Sequence, residues 1–248
     1  MKNQSLLIIA ILLSFSAFSQ QTRFYTDPES TFKEAKEYFQ KEQYSLAYPL
    51  FKELKQSVRE TDKANTAITV QEINYYTTVC ALKQSEGRAE DEALEYIDIE
   101  KNTARTQMMS YHLGEYYFRE QRFADAVRQY DQTNIENLSN REIADMKFHL
   151  GYSNFTLQRF APAKTSFNSI RTIKDDPNYM DANYYYGFLA FRDGQYGEAL
   201  EAFRIVENEK NYGTVVPYYI AQIYYIQGKK DEAITYIQNK LQGGSSSQ

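Results

Sequence analysis

The chain has 248 residues, with 33 acidic against 28 basic side chains and a formal net charge of −5. Neither sign forms a long run, which excludes the basic face that nucleic-acid phosphates demand. One cysteine, Cys80, excludes an intramolecular disulfide framework and a thiolate metal site.

Tyr contributes 23 residues and Phe 15, with no Trp; this aromatic load must be packed or must bind something. Residues 1–19 differ from all that follows. Lys2 gives a short basic start, Leu6 to Phe18 form an apolar core broken by Ser14 and Ser16, and Ala17-Phe18-Ser19 ends in small residues. This reads as a secretory signal peptide cut before Gln20. The apolar core is too short to span roughly 30 Å of hydrocarbon as a helix, so no stable membrane insertion is expected after cleavage. The mature chain is expected in the bacterial periplasm or envelope. No cysteine lies beside the cleavage site to carry an acyl chain.

After a flexible segment, 20–27, the pattern predicts helix throughout 28–242, with apolar residues at spacings of three and four and no alternating strand. Asp27-Pro28 suits a helix start. A small residue is followed twelve positions later by alanine six times in chain order: Ala35 and Ala47, Ala81 and Ala93, Gly114 and Ala126, Gly151 and Ala163, Gly187 and Ala199, Ala221 and Ala233. Four residues further on stands a large side chain each time: Phe51, Ile97, Tyr130, Phe167, Phe203 and Ile237. Two helices approach closely only where their contact residues are small, and the bulky residue one turn later fills the gap to the next pair. Successive first small residues lie 46, 33, 37, 36 and 34 apart. The long first interval is an insertion around Val58 to Glu72, expected as longer helices flanking a turn near Thr61-Asp62. Pro162 suits the first turn of its helix, whereas Pro49 falls inside a predicted second helix. Residues 243–248 are flexible by composition.

These residues resemble the tetratricopeptide repeat. Leu113-Gly114-Glu115-Tyr116-Tyr117 with Ala126 and Tyr130 is the best match; Leu150-Gly151 with Ala163 and Phe167, and Tyr186-Gly187 with Ala199 and Phe203, repeat it. Departures are the missing tryptophan, Pro49, and a terminal proline recognisable only as Pro177. The resemblance implies an all-α fold, an α-α superhelix of about six helix-turn-helix repeats spanning roughly 28–72, 73–105, 106–142, 143–178, 179–212 and 213–242. It also implies a concave groove lined by first-helix positions −3, +1, +4 and +5 from the small residue. In repeats three to six these include Tyr111, Phe118, Arg119, Phe148, Tyr152, Phe155, Tyr184, Phe188, Phe191, Arg192, Tyr218 and Tyr225, beside Glu115, Thr156, Gln222 and Ile226. Two readings stay open for this ladder of rings: a face on which a peptide docks, or stacking between neighbouring repeats.

No repeat holds the lysine and asparagine with which some family members grip a terminal carboxylate. Arg119 and Arg192 are expected to contact a ligand, or to be solvated or paired with Glu115 and Asp193. His112 and His149 occupy equivalent positions and are expected to be structural, with Cys80 a buried apolar residue. No metal, cofactor or catalytic motif is expected, and Ile234, Ile237 and Leu241 have no polar capping helix behind them. A second copy or a partner covers that end, or the chain continues. The expected function is a non-enzymatic scaffold binding a protein or peptide. A carbohydrate-binding, nutrient-capture accessory protein is the alternative.

Overall fold

The computed structural model describes residues 27–60 and 69–244. The leader at 1–19, the segment up to 26, the turn expected near Thr61-Asp62 and residues 245–248 lie outside the described residues. Within them are twelve α-helices and no strand, and the chain divides into two compact units between residues 70 and 71.

The first unit holds α1 (Pro28–Gln40) and α2 (Tyr44–Glu60). Asp27 caps α1 through its carboxylate, which accepts the Glu29 amide at 3.3 Å, and Pro28 takes the first helical position, where no amide hydrogen is required. Pro49 sits inside α2 without ending it. Ala35, Ala47 and Phe51 are fully buried at the crossing of the two helices.

The second unit is a run of five helix pairs: α3 (Val70–Lys83) with α4 (Ala89–Ile99), α5 (Thr103–Arg119) with α6 (Phe123–Tyr130), α7 (Asn140–Thr156) with α8 (Phe160–Asn168), α9 (Tyr179–Arg192) with α10 (Tyr196–Val206), and α11 (Val216–Ile226) with α12 (Lys230–Gly244). The second helix of each pair also packs on the first helix of the next, α4 on α5, α6 on α7, α8 on α9 and α10 on α11. This is the α-α solenoid that the repeat pattern predicts.

Several helices begin ahead of the boundaries drawn from the period, and side chains decide where. Asn102 caps α5 by accepting the Arg105 amide at 3.1 Å. Ser139 and Glu142 form a reciprocal capping box on α7. These caps start the helices at 103 and 140 rather than at 106 and 143. At the other end α12 runs to Gly244, two residues past the boundary at 242.

The turn within each pair has one construction. A residue with left-handed backbone follows the first helix, Glu42, Ser85, Gln121, Gln158, Gly194 or Gly228. It lets the next amide reach back to a carbonyl of the last turn, as Arg159 does to Asn154 at 2.8 Å and Gln195 to Ala190 at 2.8 Å. Except for Ser85, these residues stand seven places after the small residue. In the second pair the turn comes three residues early and the loop to α4 is longer.

The seam itself is steric. A methyl group added at Gly114 would meet the Tyr130 ring at 2.7 Å, at Gly151 the Phe167 ring at 2.9 Å, and at Gly187 the Phe203 ring at 2.8 Å. Each ring lies directly on the glycine backbone of the facing helix. Phe167 is fully buried and has nowhere to retreat. Gly151→Ala is therefore expected to cost about 1–2 kcal/mol by overpacking, after the better helix propensity of alanine is counted. Gly197→Ala, where a methyl group meets nothing within 4 Å, is expected to be neutral or slightly stabilising. Urea unfolding followed by circular dichroism checks both.

Candidate partner-binding face

Two residues ahead of the small residue, the first helices of four consecutive pairs carry a ring: His112, His149, Tyr185 and Tyr219. The last three enter the pair before them. Tyr219 lies face to face on Phe203, with ring centroids 5.3 Å apart, and meets Phe188 at 5.9 Å and Phe191 at 5.3 Å. Tyr185 stacks on Phe167 at 5.1 Å and meets Phe155 at 5.0 Å, Tyr152 at 5.6 Å and Phe148 at 6.5 Å. His149 stacks on Phe118 at 3.9 Å while its Nδ1 lies 2.9 Å from the Glu115 carboxylate.

The walls of these sockets are the positions that the resemblance puts in a ligand groove. In repeats three to five Tyr111 and Phe148 are buried, and Phe118, Tyr152, Phe155, Tyr184, Phe188 and Phe191 are half-buried; Phe118, Phe148, Tyr152, Phe155, Phe188 and Phe191 each touch a ring of the next repeat. Tyr184 is stacked on Tyr212 at 4.4 Å, and the Tyr212 hydroxyl donates to Asp181. Edge-to-face and offset-stacked geometries of this kind add about 0.5–1.5 kcal/mol per pair beyond buried area.

The charged groups near this face have partners of their own. Arg119 donates to the Leu82 carbonyl at 2.5 Å and lies over Tyr116. It does not take Glu115, whose carboxylate accepts the Tyr130 hydroxyl at 2.7 Å and faces His149. Burial pushes the Glu115 carboxyl up, but the hydrogen bonds with His149 and Tyr130 outweigh it and hold the group below the usual carboxylate range. Arg192 pairs with Asp193 at 3.4 Å and covers the Phe160 ring at 4.0 Å.

The two histidines serve different junctions. His112 is buried, its Nε2 is 3.1 Å from the Tyr75 hydroxyl, and burial pushes its imidazole down to about 3. Among the described residues no group of three or more His, Cys, Asp and Glu side chains is placed to hold a metal ion. Cys80 is fully buried and its thiol is pushed up to about 12, so it is not a nucleophile near neutrality.

The sixth repeat differs. Tyr218, Gln222 and Tyr225 of α11, with Ala233, Ile234 and Ile237 of α12, line an open groove of about 570 Å³. Tyr218 is 65% exposed, Tyr225 62%, Ile226 52% and Ile234 57%. A second groove of about 610 Å³ lies between the start of α7 and the α8–α9 connection, over Ile143, Ile170 and Ile173 with Lys147 and Asp175 at its sides. Sequence reasoning missed this second groove, whose one signal is an isoleucine, Ile173, exposed among polar loop residues. It also missed Tyr185 and Tyr219 as inserted rings, although their recurrence at one offset with His112 and His149 was there to read.

No protein-family model matches the sequence, and no curated protein does. The likeness is to solved structures. YrrB, described as a TPR protein with an unusual peptide-binding site, is 14% identical, with 79% of this chain and 93% of that one covered and a TM-score of 0.58. MamA is 19% identical over 68% and 91%, with a TM-score of 0.53. A tetratricopeptide repeat protein from Parabacteroides merdae ATCC 43184 is 16% identical over 87% and 79%, with a TM-score of 0.50. At these identities the likeness establishes the fold, which is of the tetratricopeptide type.

Because folded His112 refuses a proton that the unfolded chain accepts near its ordinary 6.5, stability from this group is complete above that pH. It is lost as pH falls from 6.5 towards about 3. Urea midpoints measured at pH 7.5, 5.5 and 4.5 are expected to decline, and His112→Phe to flatten the upper part of that decline.

Proposed function

We propose that this tetratricopeptide-type chain is a non-enzymatic scaffold of the bacterial periplasm or envelope, and that it holds a protein or peptide partner on its C-terminal repeat. The single observation that carries the reading is the concentration of large exposed apolar side chains there, Tyr218, Tyr225, Ile226 and Ile234, around one open groove. Contiguous apolar surface on a protein marks an interaction site, and tyrosine at its centre supplies wide contact with a directed hydroxyl at low entropic cost. The peptide-binding site named for YrrB supports the class of partner. In repeats three to five the ring faces that a sugar would stack on are turned to each other, so the carbohydrate reading has less support. Export rests on the leader at residues 1–19. No described helix is long and apolar enough to cross a membrane.

The test uses the full chain. Expressed with its leader in a Gram-negative host, it is expected in the periplasmic fraction, shortened by the leader. As bait against envelope extract the mature protein is expected to retain a partner that Tyr218→Ala with Tyr225→Ala loses by at least about tenfold, a hot-spot effect. The helical signal of that double variant is expected to be unchanged, because both side chains are exposed. Equal retention by the two baits would overturn the reading.

A further inference from the structure

We infer that the groove on α11 and α12 is an unfilled copy of the socket that joins one repeat to the next, and that its occupant is an α-helix of another polypeptide. That helix presents a tyrosine or phenylalanine to it. The inference deepens the partner-binding reading and rests on it.

The registers coincide. Counting from Ala221, the groove is built from positions −3, 0, +1, +4, +12, +13 and +16, which are Tyr218, Ala221, Gln222, Tyr225, Ala233, Ile234 and Ile237. The same count from Gly187 reaches Tyr184, Phe188, Phe191 and Phe203, and from Gly151 it reaches Phe148, Tyr152, Phe155 and Phe167. Those two sockets are filled by Tyr219 and Tyr185. The groove is thus continuous with an interface that the chain already makes three times. In every case the filling ring stands at −2 of a first helix, on the approach to the preceding pair, while the small residue at 0 receives that helix's own partner, Phe167 on Gly151 and Phe203 on Gly187.

The walls also choose among rings. His149 sits where position +1 is the carboxylate of Glu115, 2.9 Å from its Nδ1. Where position +1 is Tyr152 or Phe188, the incoming ring is tyrosine. In the open groove position +1 is Gln222, a neutral amide able to donate to or accept from a hydroxyl, in place of the carboxylate that His149 meets. With Tyr225 and Ile237 as the remaining walls, an uncharged ring fits best.

Among the described residues, a second copy of this chain does not offer such a ring. The −2 positions of α1 and α3 are Lys33 and Val79, and Val79 is fully buried. His112, His149, Tyr185 and Tyr219 are engaged within their own chain. This favours a helix of a different polypeptide as the occupant.

A synthetic peptide with the α9 sequence Tyr179–Arg192, extended by lysines for solubility and labelled with fluorescein, is the probe, since it carries Tyr185 two residues before Gly187. Titrated with the full chain and followed by fluorescence anisotropy, it is expected to bind saturably. Affinity is expected to fall at least about thirtyfold, the size of a hot-spot loss, when the peptide carries Tyr185→Ala and again when the protein carries Ile234→Glu. Ile234 is exposed, so its replacement leaves the fold intact, as circular dichroism verifies. Absence of saturable binding, equal binding by the Tyr185→Ala peptide, or binding unaffected by Ile234→Glu overturns the inference. Self-association of the unmodified chain abolished by Ile234→Glu in sedimentation velocity would also overturn it, by making a second copy the occupant. If envelope capture depends on Tyr218 and Tyr225 while the probe shows no preference for its ring, the partner-binding reading stands and the ring assignment alone falls.

Discussion

The packing of this protein depends on a flat ring laid against a helix that has no side chain to keep it away. Gly114, Gly151 and Gly187 leave no room for even one methyl group under Tyr130, Phe167 and Phe203. With one face on the glycine, Phe167 and Phe203 turn the other to the next repeat, where Tyr185 and Tyr219 lie on them nearly parallel, at 15° and 10°. Small residue, large ring and inserted ring thus form one relay across the junctions from α8 to α9 and from α10 to α11. Stability in such an array is a sum of each pair and its junctions, and here the two are hard to separate because the same phenylalanine serves both.

The rings would be a poor choice if their polar tips went unsatisfied, since a buried hydroxyl without a partner costs free energy. The chain meets this with carboxylates. Tyr96 donates to Glu100 at 2.9 Å, Tyr117 to Glu90 at 2.9 Å and Tyr130 to Glu115 at 2.7 Å, while Tyr186 donates to Glu198, Tyr212 to Asp181 and Tyr236 to Glu207. Arginines then balance some of the charge: Arg122 bridges Glu90 and Asp125, and Arg105 forks onto Glu100, holding its carboxyl at about 2. The abundance of tyrosine and the excess of acid are in this sense one feature. The ring body fills the junction and the hydroxyl is tied to an acidic side chain, most often on another helix.

The seam was legible from the sequence because it is a pattern inside one repeat: small at 0, alanine at +12, large at +16. The caps were legible too, since Asn102 and the Ser139-Glu142 box stand in the sequence, shortly ahead of the approximate repeat starts at 106 and 143. Whether a ring at −3 or +4 faces solvent or its neighbour is a property of how one repeat is rotated on the next, which no single repeat records. The resemblance puts Phe155 and Phe188 on a binding face; in the fold they meet each other at 5.7 Å. Arg119 was unreadable for a similar reason, as the carbonyl it finds, that of Leu82, is 37 residues away.

Where the relay stops, the same chemistry is left unsatisfied, and this links the fold to its proposed use. Ile237 takes the place of Phe203, and the wall residues Tyr218 and Tyr225 remain in solvent. A groove assembled for binding alone would need its own pre-organised walls, whereas the helix that carries this one is anchored by Ile220 and Ile223, both fully buried. A docking helix would meet a surface already shaped to seat a ring and already short of one contact. Little would need to be ordered on binding, so most of the buried apolar area would appear as affinity.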